Sequence, residues 1–194
     1  MMRAASVPGI HRHTYEAYLE YESSSNVKHE FIDGDIYAMA GGTIEHAIIG
    51  ANVTSSLSAQ LRGSPCVVAS SDLKVRVLAT DLATYPDVTV ICGPVQRDPQ
   101  SGEVVLNPSL VVEVLSKSTE DWDRGEKLEN YKQIPSLLAC VLISHRQQRV
   151  EIVRRAPDGG WTTEGAGPGE SVSLPVPGCA LAVDDVYRNV DVPT

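Results

Sequence analysis

Leu110-Val111-Val112-Glu113-Val114-Leu115 is an apolar run with a single acid near its centre, bounded by Pro108 and Ser116. Valine-rich runs of this length read as strands covered on both faces of a sheet. An acid there is expensive, since burying even a neutral polar group without a partner costs roughly 2–7 kcal/mol. The upstream run Tyr85-Pro86-Asp87-Val88-Thr89-Val90-Ile91 opens with a second acid. A divalent cation held between carboxylates on neighbouring strands would offset the cost, and a nearby lysine would complete a hydrolytic centre. Asp87 taken alone is equally a strand-start residue after proline. Glu113 has fewer structural excuses.

Working outward, residues 13–21 place bulky apolar side chains at helical spacing behind Thr14, a natural N-cap. His29-Glu30-Phe31-Ile32 and Asp35-Ile36-Tyr37-Ala38-Met39 flank Asp33-Gly34, a tight-turn pair that predicts a hairpin. Thr43 caps a helix predicted over 44–61, with Ala47, Ile48, Ala51, Leu57 and Leu61 as its apolar side. Strands are predicted at 66–69 and 73–77, then at the Asp87 and Glu113 runs, with a loop or ribbon over 93–108 between the latter two. A helix should follow from Ser118-Thr119-Glu120-Asp121 to about Gln133, because Pro135 disfavours helical geometry at Ile134. The strand predicted at 137–143 makes a strand-helix-strand crossover with the Glu113 strand. The run 149–154 alternates, 161–163 pairs with it across Asp158-Gly159-Gly160, and the Pro- and Gly-rich 166–194 is expected to wrap the sheet or extend as a tail. The order is that of an α/β protein with a mixed central sheet flanked by helices, preceded by an N-terminal helix and hairpin. One domain over 1–194 is expected, with a core over about 13–165.

With 194 residues and a formal charge of -9, the chain is acidic for a protein that grips a polyanion. Acidic metal ligands add to that count, and a bound ion would compensate them locally. No apolar stretch approaches the roughly 20 residues of a membrane span, and residues 1–8 lack the apolar segment of a secretory signal. A cytoplasmic location is expected. Cys66, Cys92, Cys140 and Cys179 are isolated in apolar context, so buried free thiols are expected rather than a disulfide or zinc site. His11, His13, His29, His46 and His145 show no ligand spacing. Arg146, Arg149, Arg154 and Arg155 read either as a nucleic-acid patch or as the exposed side of a ribbon.

Pro86-Asp87, Glu113 on the next strand and a nearby lysine resemble the PD-(D/E)XK, or restriction-endonuclease-like, nuclease superfamily. The likeness extends to a bacterial family within it, abundant in cyanobacteria and actinobacteria. It rests on Glu30-Phe31-Ile32-Asp33-Gly34-Asp35, His46 opening a helix, Tyr85-Pro86-Asp87-Val88 and Val112-Glu113-Val114-Leu115-Ser116, then on Ser118-Thr119, Asp123-Arg124-Gly125-Glu126-Lys127 and Tyr131. The series spans about residues 28–155. The chain departs from the superfamily motif at Leu115, two positions after Glu113, where the signature has lysine; Lys117 lies beyond the expected strand end. Asp123, Lys127 and Tyr131 recur every four residues and share a helix face, which permits Lys127 to serve instead. The resemblance implies that migrated lysine, and it groups Glu30 and His46 with the site.

The resemblance implies a restriction-endonuclease-like core and hydrolysis of DNA phosphodiester bonds. Asp87 and Glu113 would hold magnesium or manganese, Lys127 would act at the phosphate, and Glu30, His46, Asp123 and Tyr131 would support them. A homodimer is expected by analogy, and no membrane partner. Two other readings stay open: an inactive nuclease-fold module with a regulatory or nucleic-acid-binding role, and a hydrolase of another phosphate ester.

Overall fold

The Thr14 hydroxyl accepts a hydrogen bond from the Ala17 amide and so starts α1 (Tyr15–Ser24), as the sequence predicts. The computed structural model describes residues 12–192; the readings made of residues 1–8, His11 and the last two residues of the tail lie outside the described residues. A hairpin of β1 (His29–Ile32) and β2 (Asp35–Ala38) follows. Its turn places Asp33 and Gly34 at φ of 46° and 91°, the left-handed geometry that Asp-Gly supplies cheaply.

Thr43 caps α2 (Ile44–Gln60) by accepting from the His46 amide. The buried stripe of α2 is Ile49, Val53 and Leu57, continued by Leu61, whereas Ala47 and Ala51 are exposed. Leu57 and Leu61 lie inward as expected and Ile48 packs partly on the core, but the two alanines do not: the larger aliphatic residues go inward, and alanine loses little by facing water.

Next come β3 (Cys66–Ser70), β4 (Lys74–Val77), β5 (Leu82–Thr84), β6 (Val88–Cys92), β7 (Arg97–Asp98), β8 (Ser101–Val105) and β9 (Leu110–Val114). In place of one helix over 118–133 there are two, α3 (Glu120–Arg124) and α4 (Glu126–Tyr131). The break falls at Gly125, where a Cβ would lie 2.8 Å from the Asp121 carbonyl oxygen. The chain then runs through β10 (Ala139–Ile143), β11 (Val150–Arg155), β12 (Trp161–Ala166), β13 (Ser171–Ser173), β14 (Ala180–Ala182) and α5 (Val183–Val186).

The strands form two mixed six-stranded sheets, ordered β2-β1-β5-β4-β8-β7 and β12-β11-β10-β9-β6-β3, besides the β13-β14 ribbon. The sequence suggested one central sheet. The difference lies at Tyr85-Pro86-Asp87, which is the link carrying the chain from β5 in the first sheet to β6 in the second. Within the second sheet β9 runs parallel to β10 and antiparallel to β6, with Val88 opposite Val112.

Alternation along β9 divides the interior. Val112 and Val114 join α2 and the C-terminal residues Val172, Leu181, Val183 and Val186 in one apolar cluster. Val111 and Leu115 face the other way, into a cluster with Val75, Val77 and Leu82 of the first sheet and Leu128 and Tyr131 of α4. On the far side of the first sheet, Tyr15 and Tyr18 of α1 pack on Phe31 and Ala83. Glu113 alternates with Val112 and Val114, and so points into the space between the two sheets.

One expectation about polar groups changes. Cys66 and Cys92 are disulfide-bonded, not free: they are directly opposed in the β3–β6 register, a proximity that a sequence separation of 26 conceals. Cys140 and Cys179 are buried thiols as expected. The arginines of the C-terminal ribbon are individually engaged. Arg146 pairs with Glu120, Arg149 with Glu151 and Arg154 with Glu164, while Arg155 donates to the carbonyls of Leu137, Lys132 and Ile134 beyond α4. No helix among the described residues is long and apolar enough to cross a membrane.

Candidate active site

The space between the sheets holds a buried polar cluster with Lys127 at its centre. Its ammonium lies 3.0 Å from Glu113 Oε1, 3.0 Å from Glu30 Oε1 and 3.5 Å from Asp123 Oδ1. Four elements supply these groups: Glu30 comes from β1, Glu113 from β9, Asp123 from α3, and Lys127 from α4 one helical turn later. All four are buried. The Tyr131 hydroxyl donates to Glu113 Oε1 at 2.6 Å, so the Asp123, Lys127 and Tyr131 series faces the cluster even though Gly125 breaks the helix between its first two members.

Asp87 sits on the more open side. Its Oδ2 accepts from the Val114 backbone N–H at 2.7 Å and lies 3.3 Å from His46 Nε2. His46 is in the first turn of α2, in line with the buried Ile49 and Val53 stripe, which explains how a helix on one face of the sheet reaches this end of β6. Asp87 precedes Val88, and Val88 opposes Val112, so Asp87 and Glu113 stand at the same end of adjacent strands. Every residue that the sequence marked as catalytic or supporting is thus in one of two abutting contact groups, Glu30, Glu113, Asp123, Lys127 and Tyr131 in one, His46 and Asp87 in the other. Leu115 is fully buried in the apolar cluster between the sheets, and Lys117 is exposed.

The electrostatics follow from burying three carboxylates around one ammonium. Burial pushes the Glu113 carboxyl up to about 8; Lys127 pulls it down, and Asp123 and Asp87 raise it further. Asp123 is raised by the same desolvation against the pull of Lys127. Burial disfavours charge on Lys127, but Glu113 and Glu30 outweigh it and hold the ammonium well above the ordinary lysine range. The hydrogen bond to Asp87 raises His46.

One participant escaped the sequence reading. Thr84, fully buried at the end of β5, donates its hydroxyl to Glu30 Oε1 across the β1–β5 pair. Its only signal in the sequence is its place immediately before Tyr85-Pro86-Asp87. Cys140 on β10 lies close enough for the Glu113 charge to help raise its thiol, after burial itself.

No three His, Cys, Asp or Glu side chains among the described residues are arranged as a metal cage. Magnesium does not require one, since it keeps several waters and takes one or two carboxylates. Asp87 and Glu113 offer oxygen donors only, and the carboxylates around Lys127 outnumber the cations. That donor set fits a hard divalent ion.

Several known proteins resemble this chain as a whole. A family model described as "Uma2: Putative restriction endonuclease" matches residues 15–184. The Synechocystis sp. protein designated slr1290, described as uncharacterized, is 37% identical over 175 residues, covering 90% of this chain and 91% of its own. A second uncharacterized Synechocystis sp. protein, sll1609, is 32% identical over 148 residues, or 76% of this chain and 84% of its own. A crystal structure from Anabaena variabilis, described as a putative nuclease belonging to DUF820, superposes with a TM-score of 0.73 at 18% identity, covering 89% of this chain and 96% of that one. This last likeness is one of fold. With a match across nearly the whole described chain, the protein belongs to the Uma2 family of restriction-endonuclease-like proteins.

Proposed function

We propose that the protein is a metal-dependent endonuclease that hydrolyses DNA phosphodiester bonds, with Asp87 and Glu113 as ligands of magnesium or manganese and Lys127 as the cationic group at the phosphate. The single observation that carries this reading is the Lys127 ammonium 3.0 Å from both Glu113 and Glu30, delivered from a helix where the superfamily motif has a strand lysine. The family description supports the reaction class. When bound, the ion would supply Lewis-acid chemistry, making water more acidic and compensating phosphate charge.

The chain's own groups do the positioning. Tyr131 fixes one Glu113 oxygen and Thr84 fixes one Glu30 oxygen, so neither carboxylate is free to swing. Lys127, kept protonated by its neighbours, can place positive charge against the extra negative charge that develops on phosphorus-bound oxygens. His46, hydrogen-bonded through Nε2 to Asp87, holds that carboxylate and has a second ring nitrogen for proton exchange. A duplex substrate presents two strands, and the reading therefore includes a homodimer, which sedimentation would check.

The test is conversion of supercoiled plasmid to nicked or linear DNA with magnesium or manganese. Asp87→Ala and Glu113→Ala should each abolish it, and equal cleavage by both variants would refute the assignment. One observation favours the inactive-module alternative: Asp87 Oδ2 is already engaged by the Val114 amide and His46. Calorimetric titration separates the readings, since absence of metal binding at about millimolar magnesium or manganese points to the module.

A further inference from the structure

On the opposite face of the first sheet from Lys127, a cavity of about 410 Å³ opens between the C-terminal end of α1, β4 and the start of β8. Lys74 and Lys28 line it, together with the carboxylates of Glu22 and Glu103 and with Tyr85 and Ser101. Lys74 is only 9% exposed, and among the described residues its ammonium has neither an ion pair nor a hydrogen-bond acceptor. It rests over the rings of Tyr18 and Tyr85, 5.0 and 5.4 Å from their centroids. Lys28, more open to water, lies 5.4 Å from the same Tyr85 ring and is tethered to the Ser71 carbonyl and Asp72.

An ammonium held largely out of bulk water with only aromatic rings beside it is destabilised relative to one paired with a carboxylate. Desolvation accordingly lowers the proton affinity of Lys74, and the charges of Glu22 and Glu103 only partly restore it. Glu22 is not available as a close partner. Its oxygens accept from the His29 amide, the His29 ring and the Tyr85 hydroxyl. Glu103 is exposed at the rim.

We propose that this cavity binds a phosphoryl group, with Lys74 at its floor, Lys28 at its mouth and the Ser101 hydroxyl available as a donor. The site is separate from the Lys127 cluster and does not depend on the hydrolytic reading. A phosphoryl group could arrive on a nucleic-acid strand or on a free nucleotide, and the two sources present the same chemistry to the lysines.

The experiment titrates inorganic phosphate into the full chain in the presence of EDTA, followed by calorimetry. Saturable binding is expected, weakened about tenfold or more by Lys74→Met, since a charge-assisted hydrogen bond is removed. Glu103→Gln should strengthen it. Lys74→Met should also leave the thermal midpoint unchanged or higher, because an unpaired charge gives way to an apolar chain of similar length; a lysine with a purely structural role would lower it. Parallel titrations with thymidine monophosphate and a short single-stranded oligonucleotide identify the source by which of them loses affinity in the Lys74 variant. No saturation up to about 50 mM phosphate, or binding unchanged in Lys74→Met, overturns the proposal. Should that variant fail to fold, Lys28→Met decides: a several-fold loss supports the site, and unchanged affinity overturns it.

Discussion

Replacing Glu113 with glutamine keeps the size and hydrogen-bonding shape of the side chain and removes its charge. In the unfolded chain this carboxyl titrates at its ordinary 4.5, while burial lifts it to about 8 in the fold. Between those values the native state holds a proton that the unfolded state has released, so stability falls as pH rises through this window and the loss is complete only above it. The displacement corresponds to a ceiling of about 5 kcal/mol; relaxation and a polarisable interior should leave about 2 kcal/mol. Lys127 is not orphaned by the change, because Glu30 and Asp123 remain at 3.0 and 3.5 Å. In EDTA the variant should therefore match the parent near pH 5 and exceed it near pH 8.5 by about 2 kcal/mol, or about 4–8 °C in thermal midpoint. Urea unfolding at a series of pH values measures this directly. A shallow slope should persist in the variant, since His46 and Asp123 are also raised and lose stability in the same direction. Parallel curves for parent and variant, or a variant less stable at high pH, would refute the claim that burial of an excess carboxylate governs this site. Added magnesium should stabilise the parent at high pH and leave the glutamine variant behind, by mass action on a ligand set that has lost its charge.

Lys127→Met removes the only ammonium among three buried carboxylates; cleavage should fall by about 10²–10³-fold and stability by about 3–5 kcal/mol, read by plasmid nicking and denaturation. Tyr131→Phe deletes the hydrogen bond that lowers Glu113, so the acid limb of the pH–rate profile should move to higher pH while stability drops by about 1 kcal/mol. Reduction of Cys66–Cys92, or its double alanine replacement, should cost about 3 kcal/mol for a loop of 26 residues and leave plasmid cleavage unchanged, because the pair staples β3 to β6 away from the Lys127 cluster.

What the sequence made legible was local. Asp33-Gly34, the Thr14 and Thr43 caps and the acid inside the β9 run each carry their cause within a few residues. What it concealed was pairing at a distance. Nothing near Cys66 announces Cys92, and a three-residue strand such as β5 is too short to show any period, so the division into two sheets at Tyr85-Pro86-Asp87 could not be read. Ala47 and Ala51 counted as apolar at the correct spacing and still faced water, because pattern alone does not weigh how much area each residue would bury. Thr84 escaped for a related reason: a threonine at a strand end is unremarkable until the opposite strand is known to carry Glu30.

The Leu115 and Lys127 positions explain one another. Leu115 follows Glu113 on the same face of the chain, and there the first sheet's Val75, Val77 and Leu82 and the second sheet's Val111 close together in a single apolar cluster. An ammonium at that depth would be surrounded by hydrocarbon. Leucine at 115 fills the cluster, and the lysine comes instead from α4, whose next turn places Tyr131 on the same Glu113 oxygen. The exchange has a structural consequence that a strand lysine would not carry. Lys127 touches Glu30 of one sheet and Glu113 of the other, so its geometry registers the spacing of the two sheets, and the same packing that buries Leu115 sets the distance across which the ammonium must reach. Packing and charge placement at this site are therefore coupled, and a change in either residue should be felt at the other.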